Sequence, residues 1–343
     1  MRKLTSMNTA TSAPHLSVVI PTYGRPAYLS RAVDSALESA ESGEVEVIVI
    51  PNGPDESWKG VMNNYQNRTD VIVRQISVSH ANVARNIGLS LARGKYVRFL
   101  DDDDFLLPAK AREQLHYMER EMSEVCSGRL EHRSEDQVAL GQVGFTREAD
   151  FVIASCEKSG FTLPTGNVFL RSALKNALWN ENVPRLQDNV WMLDLAGMRE
   201  WRWSDFPEVV GVWFHHGGDR VSSVSEVRSY PVWIIDALRE LCRRLQSAGR
   251  LSRERRLAIA TAIWRVSHEY FPLHPMMCTR AAKIAIEMDA TSRPPIGIYD
   301  GGHPMSWFSP LLVEWVMIPK RFLNHWRRVM IERKNVSPSI RRL

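Results

Sequence analysis

Four consecutive carboxylates, Asp101 to Asp104, follow a short apolar and aromatic run, Tyr96 to Leu100, within the stretch Gly94 to Pro108. Such a run reads as a buried strand. Four adjacent negative charges repel one another unless a cation, a basic cluster or open water offsets them. Ligands of open α/β sheets bind at the carboxyl ends of strands. Hard carboxylate oxygens suit Mg²⁺ or Mn²⁺, and Mg²⁺ is usually held by one or two carboxylates plus substrate phosphates. The pattern points to a metal–diphosphate site. The competing reading, a solvated acidic turn, rarely follows so apolar a strand.

The elements that must position these acids alternate along the chain. Leu16 to Ile20 is a strand, followed by the turn Pro21-Thr22-Tyr23-Gly24-Arg25-Pro26. Helical spacing runs from Tyr28 to Ser39. A second strand, Val45 to Ile50, ends at Pro51-Asn52-Gly53-Pro54. A helical piece over Glu56 to Gln66, a strand at Val71 to Val73 and a helix over Ala81 to Ala92 precede the acidic strand. This rhythm implies βαβ units and a mostly parallel sheet. The turns Pro21–Arg25, Pro51–Gly53 and Asp101–Asp104 then share one crevice at the strand ends. A nucleoside diphosphate fits it, with base and ribose near Pro21, Thr22, Tyr23 and Asn52, and the phosphates near the metal and Arg85. The chain lacks GxGxxG and GxxxxGK[ST], so ordinary dinucleotide and P-loop readings have little support.

The chain has 343 residues, enough for one large domain and a smaller one. Its four cysteines, Cys126, Cys156, Cys242 and Cys278, are widely spaced, which fits a reducing compartment and argues against a zinc ribbon or disulfide framework. Residues 1–15 are polar without an apolar core, hence a disordered tail rather than a signal peptide. No apolar run reaches the ~20 residues of a membrane-spanning helix. Residues 226–343 hold 20 Lys/Arg against 10 Asp/Glu, a net of +10 in a chain of net +5. This part reads as basic helices, with aromatic residues beside Lys/Arg near Trp307–Arg328. That composition suits contact with an anionic membrane interface as well as it suits a packed helical pair. No nucleic-acid-reading motif is present.

The ordered set Val18–Pro26, Val47–Gly53, Ala84–Gly88 and Gly94–Asp104 resembles the family 2 glycosyltransferases, of bacterial polysaccharide and surface-glycan type, which have the GT-A fold. The resemblance implies an α/β GT-A domain over 16–225, Rossmann-like with flanking helices, and a helical region over 226–343. It implies an inverting, metal-dependent transfer of a sugar from a nucleotide-diphosphate sugar to a hydroxyl of a glycan or lipid-linked acceptor. The DxD element falls on Asp101-Asp102-Asp103, with Asp103 the metal ligand and Asp104 a second candidate. Thr22 and Tyr23 would touch the base, and Arg85 would lie near the diphosphate. Pro51-Asn52 stands where many members carry Asp-Asp. An Asn carbonyl still accepts a uracil or thymine N–H, so a UDP-sugar is favoured, with dTDP or GDP open.

In Gln187-Asp188, at the start of a helix, the family's Glu-Asp keeps its second acid. The resemblance makes Asp188 the base that deprotonates the acceptor; without it, Asp188 would complement the helix N-terminus. His216, followed by Gly-Gly, would lie at the metal or diphosphate, where imidazole suits Mn²⁺, and the segment to Ser222 could close over the donor. Leu163–Arg171 is expected to line the acceptor pocket, Arg129–Asp150 to form a variable loop and Phe151–Ala154 a short strand. The expected place is cytoplasmic, at the inner face of the plasma membrane. Two other readings remain: a non-catalytic sugar-nucleotide-binding or scaffold subunit, kept open by the missing acids at Pro51 and Gln187, and a nucleotidyltransferase, which would need a Gly-rich basic first loop.

Overall fold

The computed structural model describes residues 13–144, 146, 148–157, 161–216, 231–299 and 301–335. They divide into two compact units. The first holds the sheet and comprises described residues 13–146, 161–182 and 201–216; the second comprises 148–157, 183–200 and 231–335. The units interleave in sequence, where a single boundary at 225/226 was expected.

The first unit begins as read from the sequence. β1 (Leu16–Thr22) and β2 (Val45–Pro51) are buried at every position. Mostly apolar runs buried throughout, with only Ser17 and Glu46 as polar members ahead of the strand ends, belong inside a parallel sheet covered on both faces. α1 (Pro26–Leu37) and α2 (Trp58–Met62) flank β2, and β3 (Val71–Val73), α3 (Ala81–Leu91) and β4 (Tyr96–Phe99) complete the parallel part. α3 crosses β1 closely at Gly88, where an added Cβ would lie 2.2 Å from Val19 Cγ1.

After β4 the sheet becomes mixed. β5 (Phe105–Leu106), α4 (Pro108–Arg120), β6 (Val125–Ser134), β7 (Ala139–Val143), β8 (Asn167–Leu170) and β9 (Trp203–His215) give the strand order β3-β2-β1-β4-β8-β6-β9-β5, with β7 beside β6. β4 and β5 are neighbours in sequence but have three strands, β8, β6 and β9, between them along the sheet. The link between them is a closed turn, Asp104 N–H donating to the Asp101 carbonyl at 3.1 Å. So short a link requires the sheet to curl, and the curl sets β9 beside the acidic turn.

Three expectations need correction. Arg129–Asp150 is not a variable loop throughout: much of it forms the hairpin β6–β7. Phe151–Ala154 is not a strand but part of α5 (Phe151–Cys156), whose first amides are capped by Asp150 Oδ1. The tail does not extend through residue 15: the His15 amide donates to the Glu44 carbonyl at 2.7 Å and its ring packs edge-on to Tyr96. Residues 1–12 lie outside the described residues.

The second unit is helical among its described residues. α5 packs on α6 (Gln187–Met198) and α8 (Arg253–Tyr270); α7 (Val232–Ser247) packs on α6 and α8; α9 (Pro275–Met288) packs on α8 and on α10 (Pro310–Val316), which leads into α11 (Ile318–Asn335). No described helix is long and apolar enough to cross a membrane.

Candidate active site

The four carboxylates of the β4–β5 turn sit in four different environments. Asp101 is the most open; its Oδ1 accepts from Arg85 Nη2 at 2.7 Å. Arg85 is 6% exposed, bonded to Asn82 Oδ1 and stacked over Trp179 at 4.5 Å. α3 thus delivers a fixed cation to the strand ends.

Asp102 is fully buried. Its Oδ2 accepts the Tyr23 amide at 3.3 Å, and its Oδ1 lies 2.8 Å from Arg25 Nη2 but accepts no hydrogen bond. Burial pushes this carboxyl up to about 7, against the pull of Arg25 and with a further push from Asp103. Asp103 Oδ2 takes Arg25 Nη1 at 2.5 Å and lies 3.1 Å from His216 Nε2. Burial works against the Arg25 charge, but Asp102, Asp103, Asp101 and Asp104 together outweigh it and raise its pKa. Arg25 is therefore a guanidinium held across two adjacent carboxylates.

Asp104 is occupied from both sides: Thr165 Oγ1 donates to Oδ2 at 2.7 Å and the Phe214 amide to Oδ1 at 3.0 Å. Burial first, then repulsion from Asp103 and Asp101, raises its pKa well above the carboxylate range. With both oxygens engaged, Asp104 does not face a ligand, which corrects its place as a second metal candidate. Thr165 is itself fully buried, and its carbonyl accepts from buried Arg98 at 2.7 Å. The 164–167 segment therefore braces the acidic turn; it is too buried to line an acceptor pocket.

The base-side residues lie on neighbouring strand ends. Pro21 and Thr22 end β1 and are buried, whereas Tyr23 is 47% exposed. Asn52 Nδ2 donates to the Thr22 carbonyl at 2.9 Å, joining the two turns. Gly53 has φ +85°, and an added Cβ would lie 2.9 Å from Ser79 Cβ and 3.0 Å from Tyr23 Cε2. The turn is tight because the Tyr23 ring rests there.

His216 follows β9, buried, with its ring 4.6 Å from that of Tyr28. Gly217–Ser222, expected to close over the donor, lies outside the described residues. Asp188 belongs to the second unit. It is half-buried in the first turn of α6, two residues after Leu186, whose backbone is left-handed (φ 52°). Asp194, on the same helix, faces Arg244 at 3.3 Å.

Sequence reasoning missed Arg31. Its Nη2 donates to the Asp103 carbonyl at 2.9 Å, and its guanidinium lies 4.3 Å and 4.1 Å from the Phe105 and Phe214 ring centres. The available signal was its place six residues after Arg25 on a helix that starts at the strand end.

The arrangement fits a divalent ion. Asp103 and His216 present an oxygen and an imidazole nitrogen at one point, Asp102 Oδ1 is buried without a hydrogen bond, and a guanidinium marks the spot as one for positive charge. Among the described residues no three His, Cys, Asp or Glu side chains form a closed cage.

Residues 17–178 match the family described as glycosyl transferase family 2. Over 198 residues the chain is 29% identical to the GalNAc(5)-diNAcBac-PP-undecaprenol beta-1,3-glucosyltransferase of Campylobacter jejuni, covering 52% of this chain and 59% of that protein. Over 107 residues it is 31% identical to an uncharacterized glycosyltransferase of Haemophilus influenzae, covering 31% of this chain and 42% of the other. The chain thus spans about half the length of these relatives. The crystal structure of Staphylococcus aureus TarS 1-349 in complex with UDP-GlcNAc superposes with a TM-score of 0.63 at 16% identity, covering 80% of this chain and 81% of that one. The fold is GT-A, and residues 17–178 are similar to glycosyl transferase family 2.

Proposed function

We propose that the protein is an inverting, metal-dependent glycosyltransferase that moves a sugar from a nucleotide-diphosphate sugar to a hydroxyl of a glycan or lipid-linked acceptor. The observation that carries this reading is the convergence of Arg25 and His216 on one oxygen of Asp103, at the carboxyl end of a central strand. It is a site for positive charge, built where nucleotides bind α/β sheets.

Asp103 and His216 would hold Mn²⁺ or Mg²⁺, with Asp101 and Asp102 supplying negative charge beside them. When bound, the ion supplies Lewis-acid neutralisation of the diphosphate leaving group. Arg85, fixed by Asn82 and Trp179, offers a second cation to the phosphates. Tyr23 offers an exposed ring for the base to stack on. With Asn52 Nδ2 committed to Thr22, Oδ1 is the atom left to accept a uracil or thymine N–H; a UDP-sugar is favoured, with dTDP or GDP open. Asp188 takes the proton of the attacking hydroxyl as that oxygen displaces the diphosphate from the opposite side of the anomeric carbon. The Campylobacter relative named above acts on an undecaprenol-diphosphate-linked glycan, which supports a lipid-linked acceptor here. The four cysteines are unbridged, which supports the cytoplasmic side of the membrane as the place of reaction.

Thermal shift of the purified chain with a panel of nucleotide sugars and Mn²⁺ tests the donor, because a ligand bound only by the folded state raises apparent stability. A UDP-sugar should give the largest shift, and Asp103→Asn should remove its Mn²⁺-dependent part. With donor and acceptor in hand, Asp188→Asn should lower kcat by about 10²–10⁴ with the donor shift intact, and the product anomer should be inverted. A donor shift indifferent to both Mn²⁺ and Asp103→Asn would overturn the metal assignment; full turnover by Asp188→Asn would overturn the base.

A further inference from the structure

α10 and α11 carry an apolar surface that the described part of the second unit leaves open. Nine of the twenty-three large apolar side chains exposed among the described residues fall between Met305 and Trp326. Scattered exposed apolar residues are ordinary, whereas a concentration marks an interaction surface. Trp307, before α10, is 87% exposed. Leu312 and Val316 share a face of α10 by their spacing of four. On α11, Phe322 and Trp326 do the same, at 48% and 57% exposed.

The base of this surface is fixed. Glu314 of α10 is buried, lies 2.7 Å from His268 Nδ1, accepts the Tyr299 hydroxyl at 2.8 Å and pairs with Arg321 of α11. Trp315 donates Nε1–H to Thr279 Oγ1 at 3.1 Å and packs edge-on to Phe271. These contacts tie α10 and the start of α11 to α8 and α9, and the exposed rings are presented from that support.

Charge identifies the occupant. Residues 301–343 contain eight Lys/Arg and two Asp/Glu, a net of +6, against +5 for the whole chain. One of the two acids is Glu314, already buried and paired. Lys320 and Arg327 are exposed alongside the apolar residues of α11. A second copy meeting this face about a two-fold axis would bring two strongly basic surfaces together. An anionic bilayer takes both features: tryptophan and phenylalanine enter the headgroup–acyl boundary while Lys and Arg meet lipid phosphates.

We infer that the Trp307–Arg327 surface docks the protein on an anionic membrane. This deepens the reading of a lipid-linked acceptor and rests on it for its purpose, but the docking is measured without sugar transfer. The full chain is floated with vesicles of phosphatidylcholine alone and of phosphatidylcholine with phosphatidylglycerol, at low and high salt. Wild type should float with the anionic vesicles, less so at high salt, and stay behind with the neutral ones. Lys320→Ala with Arg327→Ala should weaken binding about 30-fold. Trp307→Ala with Phe322→Ala and Trp326→Ala should abolish it at both salt concentrations. Circular dichroism and the donor thermal shift should be unchanged in both variants. Wild type that does not float, or variants that float as it does, overturn the inference. A dimer in sedimentation equilibrium that the aromatic variant breaks, without vesicle binding, assigns the surface to a second copy instead. Vesicle binding with no nucleotide-sugar shift would sink the proposed function and leave the docking standing.

Discussion

Asp104 offers a sharp test because two substitutions there separate its hydrogen bonds from its charge. The carboxylate accepts the Phe214 amide at 3.0 Å and the Thr165 hydroxyl at 2.7 Å, and it is fully buried. Asp104→Ala removes both acceptors. The Thr165 hydroxyl can rotate toward another partner, but the Phe214 N–H is a fixed donor inside the sheet. Leaving a buried donor unmade costs about 1–3 kcal/mol. The expected net cost is about 2 kcal/mol, or about 4–8 °C in Tm for a unit of this size. Asp104→Asn keeps a carbonyl for the Phe214 amide, and its NH₂ can donate to Thr165 Oγ1. With both hydrogen bonds kept, its stability should lie within about 1 kcal/mol of wild type. Phe214 lies two residues before His216 on the same strand end, so loosening it should disturb the His216–Asp103 pair. Asp104→Ala is therefore expected to lose Mn²⁺ affinity and Asp104→Asn to keep it, read by calorimetric titration beside thermal melts. If Asp104→Asn melted as early as Asp104→Ala and also lost Mn²⁺, the negative charge itself would be required and the assignment of Asp104 as a brace would be wrong.

Gly53→Ala places a Cβ 2.9 Å from Ser79 and 3.0 Å from Tyr23 at φ +85°; it should cost about 1–3 kcal/mol and raise KM for the donor more than it lowers kcat, by steady-state kinetics. Leu186→Gly relieves a left-handed leucine and should raise stability by about 0.5–1 kcal/mol while lowering kcat through a looser Asp188, checked by paired melts and assays; an unchanged kcat would detach that backbone from the chemistry. Glu200 accepts from Arg250 and Arg255, and the Arg255 hydrogen bond chiefly draws its carboxyl down to about 2. A lowered folded-state pKa gives stability that is present above about 4.5 and lost as pH falls toward 2. Glu200→Gln should therefore cost at most about 1 kcal/mol at pH 7, with the difference from wild type closing over that window in acid melts.

The parallel half of the sheet was legible because β1, β2 and β4 are mostly apolar runs, each interrupted by one polar residue (Ser17, Glu46, Arg98) and ended by turn residues, and the acids mark one strand's end by composition alone. The mixed half was not. β6 alternates Arg129, Glu131 and Arg133 with less polar residues, and its partner β7 is largely exposed, so the hairpin resembles a polar loop until it is paired. α5 has six residues, too few for a helical period to register. The grouping of α5 and α6 with the C-terminal helices is a matter of long-range packing, to which local pattern is blind. Nothing in the local pattern of the helix singles out Arg31. Only the pairing of β5 with β9 brings Phe105 and Phe214 to either side of it.

The same pairing explains how a run of four aspartates is tolerated. A strand that ended in four equivalent carboxylates would be strongly destabilised by their mutual repulsion. Here Asp101 stays near solvent with Arg85, Asp102 is buried with its pKa raised by that burial, Asp103 shares Arg25 with it, and Asp104 is turned into the sheet to accept two hydrogen bonds. Three arginines, 25, 31 and 85, reach the turn from two helical segments to meet four acids. The residual negative charge is concentrated at Asp102 and Asp103, where burial makes it costly and an incoming cation is therefore most strongly favoured. A substitution that moves charge within this turn should change cation affinity more than one of equal size elsewhere in the sheet. Asp101→Asn, which leaves Arg85 without its carboxylate, should weaken Mn²⁺ binding while strengthening the hold of Arg85 on a phosphate, two effects of opposite sign that calorimetric titrations with Mn²⁺ alone and with UDP alone can separate.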